Sequence, residues 1–156
     1  MVWPCNSYAY GGDIGLSETP EITDELNNLL NVEFGPEVYE IEKGMVRKFV
    51  LAIEDPNPLW QSITPPTFPA AIRIEELFQR LFMTEGSLNH VRNGTNELDY
   101  YQPIKIGDVI SVTGKLAGLR KLEGKMGKTL FMIVEINYTN QDGELVARGR
   151  NTFVRY

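Results

Sequence analysis

Cysteine and histidine are nearly absent from this chain, one of each in 156 residues. A lone Cys5 excludes an internal disulfide framework and suits a reducing compartment. With His90 the only histidine, no ligand set for a zinc site exists, and no metal or redox cofactor is expected. Long apolar runs are missing too. None approaches the ~20 residues that span a bilayer, so no membrane partner is expected. The N-terminal stretch MVWPCNSYAYGG lacks the basic start and apolar core of a signal peptide. The expectation is a soluble, cytoplasmic protein. Basic charge is scarce: 15 Lys and Arg stand against 21 Asp and Glu, for a net charge of −6. That balance excludes a phosphate-tracking surface for nucleic acid. The densest basic stretch, GLRKLEGKMGK, alternates with glycine and is predicted to be a solvated turn, its one candidate role a contact with a phosphorylated cofactor. Neither a phosphate-binding P-loop nor a GxGxxG fingerprint is present.

What is present suits one ordinary domain with a sizeable core. TPEITDELNNLL is predicted to be a helix, with Thr19 as cap, Pro20 in the first turn, and Ile22, Leu26, Leu29 and Leu30 as its apolar stripe. GPEVYEIEKG alternates and reads as a strand. MVRKFVLAI carries Val46, Phe49, Val50 and Ile53 at helical spacing. It must stop near Asp55, because Pro56 disfavours helical geometry in the residue before it. TPPTFP then forms a stiff linker into AAIRIEELFQRLFMTEG, the longest helix candidate, which Pro69 can start and Gly86 can end. Ala70, Ile74, Leu77, Phe78, Leu81 and Phe82 give it a wide apolar face. From residue 94 onward the period becomes that of strands: TNELDYYQP, DVISVTGKLAGL, TLFMIVEINYTN and ELVARGRNTFVRY, with NQDGE as a turn. Helices first and an antiparallel meander second is the α+β pattern. The predicted arrangement is a sheet wrapped around residues 70–84.

Four stretches, in order, resemble the MaoC-like dehydratase family of the hot-dog fold. More closely they resemble its branch related to the N-terminal half of fungal fatty-acid-synthase-type (FAS1-like) dehydratases. They are VYEIEKGMVRKFVLAIEDPNPLW, PPTFP, NGTNELDYYQPIKIGDVI and GKTLFMIVEINYTNQDGELVARGRNTFVRY. The resemblance runs from about Leu26 to Arg155 and implies a single hot-dog domain over 1–156, with 1–18 as an N-terminal extension. It implies hydration or dehydration of acyl thioesters, between 3-hydroxyacyl and 2-enoyl chains on CoA or acyl carrier protein. It also implies pairing of two hot-dog units, as a homodimer or as a heterodimer with another hot-dog chain. A lone sheet with an open edge leads to the same expectation of a dimer.

Active members of that family carry Asp-x-Asn-Pro-x-His after the short helix. Adding water across an activated double bond needs a base for the water and an acid for the α-carbon. Here Asp55, Asn57 and Pro58 match, and Trp60 stands at the histidine position. An indole donates but does not accept, and it does not exchange a proton at neutral pH. Losing one acid/base partner typically lowers the rate about 10²- to 10⁴-fold. The expected catalytic residues are Asp55 and Asn57, and both also suit a plain capped turn. Pro66, Thr67, Phe68, Asn93 and Gly94 are expected at the substrate with Trp60, as the resemblance implies; Phe68 is equally a core residue and Asn93–Gly94 equally a turn. The connection WQSIT is shorter than the acidic loop its relatives place there. His90 is the one alternative acid/base. Glu75 and Glu76 suit a helix dipole at the start of the long helix, with thioesterase chemistry as a distant third reading. Tyr100 and Tyr101 are strand residues, and Cys5 has no base beside it. The sequence thus predicts a hydratase/dehydratase-type subunit with an incomplete Asp/His site that needs a second hot-dog chain. The alternative is a non-catalytic acyl-CoA-binding or scaffolding protein.

Overall fold

Alternating β-branched and aromatic residues build five strands: β1 (Glu33–Glu40), β2 (Val91–Tyr100), β3 (Val109–Gly124), β4 (Gly127–Thr139) and β5 (Leu145–Arg155). The computed structural model describes residues 22–83, 90–124 and 127–156. All strand pairs are antiparallel, in the order β1-β3-β4-β5-β2, which leaves β1 and β2 as edges. Three α-helices accompany them: α1 (Asp24–Leu29), α2 (Lys43–Ala52) and α3 (Glu75–Met83). The α+β expectation is met. No helix among the described residues is long and apolar enough to cross a membrane.

The inner face of the sheet is the core. Ile110, Val112 and Leu116 of β3, with Leu130, Met132, Val134, Ile136 and Tyr138 of β4, are buried there against Ile72, Ile74, Leu77, Phe78 and Leu81. Gly114 makes room for this packing. A Cβ on it would lie 2.8 Å from the Glu135 carbonyl oxygen and 2.9 Å from Ile74 Cδ1. The chain therefore needs a residue without a side chain where Ile74 meets the sheet.

The central helix is shorter than the sequence predicts. Residues 70–84 are not one helix. Phe68–Ala71 form a 3-10 turn, Ile72 is extended (φ −111°, ψ 130°), and α3 begins only at Glu75. Two β-branched residues, Ile72 and Ile74, are both buried across this break, and an extended step lets both reach the core. The expected end at Gly86 lies outside the described residues. The new helix start is capped from another element. Glu37 of β1 accepts the Glu75 amide at 2.7 Å, while its other carboxylate oxygen lies 3.0 Å from the Tyr39 hydroxyl. That hydroxyl also lies 2.6 Å from the Arg73 carbonyl oxygen.

Two further expectations need correction. Helix α1 starts at Asp24 and is capped by Thr23, whose Oγ1 accepts the Leu26 amide at 3.3 Å. Thr19 and Pro20 lie outside the described residues. GLRKLEGKMGK is mostly strand, not a turn, with Leu119 opposite Met132, Lys121 opposite Leu130 and Leu122 opposite Thr129. Its first glycine, Gly118, does not turn the chain, because a register shift between Leu116 and Gly118 accommodates the extra residue and pairing continues. The turn expected at NQDGE is present. Asn140 Oδ1 accepts the amides of Asp142 (3.0 Å) and Glu144 (2.9 Å), and Gly143 adopts φ +79°.

Candidate active site

Helix α2 stops as its sequence requires. Ile53 still has helical geometry, Glu54 turns left-handed at φ 54°, and Asp55 precedes Pro56. The loop that follows is held by its own side chains. Asp55 Oδ1 accepts the Asn57 amide at 3.1 Å. Asn57 Oδ1 accepts the Leu59 amide at 3.0 Å and caps a 3-10 turn over Pro58–Gln61. Both residues thus shape the turn, as Asp and Asn do well. Asp55 uses only Oδ1 for it, and its Oδ2 has no protein partner among the described residues.

The loop packs against the side of α2, and the two line an open cavity of about 330 Å³. Asp55, Pro56, Asn57, Pro58, Trp60 and Gln61 line it from the loop, and Lys43, Arg47 and Val50 from the helix. Trp60 is half-buried, and its Nε1 is a buried donor with no hydrogen-bond partner. An unmet buried donor is uncommon and calls for an explanation. Lys43 and Arg47 were not evident as site residues in the sequence. Their signal was their spacing of four, which puts both on one helix face. Among the described residues neither forms an ion pair.

The short WQSIT connection is pinned rather than loose. Ile63 bridges to Lys105, the Thr64 amide donates to Ile104 O at 2.8 Å, and the Ile106 amide donates to Ser62 O at 3.0 Å. This delivers Phe68 into the core, where it meets Phe49 of α2 edge-on at 5.4 Å. Pro66 and Thr67 are exposed beside it, and none of the three lines the Asp55 cavity. Asn93 lines a separate cavity, and Gly94 lies in strand β2, not in a turn. His90 is exposed, packs its ring 5.9 Å from that of Tyr156, and is not among the residues lining the Asp55 cavity. Glu75 and Glu76 pair with Arg73 (3.2 Å) and Arg80 (2.9 Å) on the exposed side of α3. Tyr101 is exposed at the end of β2, and burial pushes the neighbouring Tyr100 up to about 12. No group of three or more His, Cys, Asp or Glu among the described residues is arranged to hold a metal ion.

The profile of the family described as FAS1-like, dehydratase domain region, matches residues 28–149. The chain belongs to this family. A relative from Thermobifida fusca (strain YX), a UPF0336 protein, is 31% identical over 109 residues, covering 61% of this chain and 72% of that one. Among solved structures, a protein named MaoC-like dehydratase aligns with a TM-score of 0.69 at 18% identity, over 81% of this chain and 42% of that one. The C-terminally truncated HadBC complex of Mycobacterium tuberculosis, named a 3R-hydroxyacyl-ACP dehydratase, aligns with a TM-score of 0.66 at 16% identity, over 81% of this chain and 96% of that one. The fold is therefore the hot-dog fold, as the resemblance implied, and the family supports a hydratase/dehydratase-type role.

Proposed function

We propose that the chain is one subunit of a two-chain acyl-thioester hydratase/dehydratase, acting on 3-hydroxyacyl and 2-enoyl thioesters. The observation that carries this reading is the cavity where Asp55, Asn57 and Trp60 converge. Asp55 has a carboxylate oxygen to spare for a water, and Asn57 is a fixed amide beside it. Trp60 contributes a donor that is unmet in the single chain. It holds an acceptor such as a thioester carbonyl and does not pass a proton. The second acid/base group then comes from a partner hot-dog chain with an intact Asp-x-Asn-Pro-x-His. HadBC, named as a complex, supports pairing of this kind. No metal or redox cofactor takes part, since water addition to an enoyl thioester needs only proton transfer. The lone cysteine suits a cytoplasmic setting.

The test is hydration of crotonyl-CoA, followed by loss of the enoyl-thioester absorbance, with the chain alone and with the partner chain. We expect turnover only with the partner. Asp55→Asn should abolish it while leaving stability nearly unchanged, because an asparagine oxygen still accepts the Asn57 amide. The unmet Trp60 donor also favours a second reading, a chain that binds acyl-CoA without turnover. Binding with no hydration under any pairing would establish that reading and overturn the first.

A further inference from the structure

The apolar inner face of the sheet ends in carboxamides. Cross-strand neighbours share a face, and two rows run out from the core: Leu116, Val134, Asn151, Asn96 and Leu119, Met132, Phe153, Asn93. Asn93 and Asn96 are three apart, so a regular strand would send them to opposite faces. A register shift between Asn93 and Thr95 removes the mismatch and leaves Gly94 as the extra residue. Glycine fits there because a Cβ would lie 3.0 Å from both Thr152 O and Val154 Cγ2. The spacing NGTN therefore places two amides on the inner face beside Asn151.

These side chains line a cavity of about 170 Å³ whose other walls include Phe78, Phe153 and Tyr138. None of the three carboxamides has a hydrogen-bond partner among the described residues. Arg73, also at this cavity, is already engaged, 3.2 Å from Glu75 and 5.6 Å from the centre of the Phe78 ring. The available polar groups are thus neutral, planar and able both to donate and to accept. An alkyl chain here would displace their water and return no hydrogen bonds. A secondary amide returns both kinds and lays its flanking methylenes on the rings.

We propose that this cavity is a subsite for a secondary amide. Within the acyl-thioester reading, on which this identification rests, it receives the amide-bearing pantetheine arm common to CoA and acyl carrier protein. The volume, roughly six waters at ~30 Å³ each, suits one amide unit with its neighbouring methylenes.

The experiment is a titration of the ¹⁵N-labelled full chain with D-pantetheine, reading the asparagine side-chain NH₂ signals. Pantetheine should shift the signals of Asn93, Asn96 and Asn151. Asn96→Leu and Asn151→Leu should each weaken binding by about tenfold. Asn151→Ala serves as a second variant if leucine disturbs the spectrum. Hexanol, an apolar probe, should leave the three signals in place. Unshifted amides, undiminished binding by the variants, or equal binding of hexanol would each overturn the proposal. CoA and holo acyl carrier protein are titrated in parallel, and the one that shifts the amides is the carrier. Failure of both would overturn the pantetheine assignment. The readout needs no turnover. Absence of hydration with the partner would therefore overturn the proposed function and leave this subsite standing. Hydration whose KM ignores both leucine variants would overturn the subsite and leave the function standing.

Discussion

Tyr138 ties the sheet to the segment that leads into α3, and its removal should be measurable in two ways. Its ring is buried, and its hydroxyl donates to the Pro69 carbonyl at 3.0 Å. Tyr138→Phe deletes that bond and leaves the Pro69 oxygen unmet in a buried site. The loss is expected at about 1–3 kcal/mol. For a chain of this size each kcal/mol lowers Tm by roughly 2–4 °C. The second consequence is a pH dependence. Burial holds the Tyr138 hydroxyl well above its ordinary value of 10.0, with the nearby Tyr100 and Tyr39 adding to it. A folded-state value above the unfolded one gives stability that is complete below pH 10 and lost as pH rises further. The slope for one tyrosine is at most about 1.4 kcal/mol per pH unit. Phenylalanine has no such term. The deficit of Tyr138→Phe should thus be full at pH 8 and shrink steadily between pH 10 and 12. Urea unfolding of both proteins at pH 8, 10, 11 and 12 tests it. A deficit that is absent at pH 8, or constant across the series, would refute the reasoning.

Three other substitutions probe the fold and the site. Gly114→Ala should destabilise by about 1–3 kcal/mol, read by denaturant midpoint, because its methyl would meet the Glu135 oxygen at 2.8 Å and Ile74 at 2.9 Å. Glu37→Ala should cost about 1 kcal/mol by removing the acceptor for the α3 start, and circular dichroism melting would show it; an unchanged melt would mean that water caps the helix equally well. Trp60→His should raise crotonyl-CoA hydration by the chain alone by about 10²-fold or more if position 60 is where the acid/base group is missing. An unchanged rate would place that deficiency elsewhere.

Chain-local chemistry decided much of this molecule. Strand periodicity from residue 94, the stop of α2 at Asp55 before Pro56 and the Asn140–Glu144 turn depend on residues within a few positions of one another, so they were legible in order along the chain. The Asp55–Asn57 loop was legible for the same reason, since each side chain bonds an amide two residues on. Tertiary structure decided what distant partners control. Helix α3 begins at Glu75 because Ile72 and Ile74 both reach the sheet and because Glu37, on another strand, caps the start. Local helix propensity sees neither. The basic stretch stays extended because β3 and β4 keep pairing through it. Lys43 and Arg47 became site residues only when the loop packed against α2. Asn93, Asn96 and Asn151 share one cavity only through a bulge and a cross-strand register, and register is set by the pairing of whole strands, not by any short run of residues.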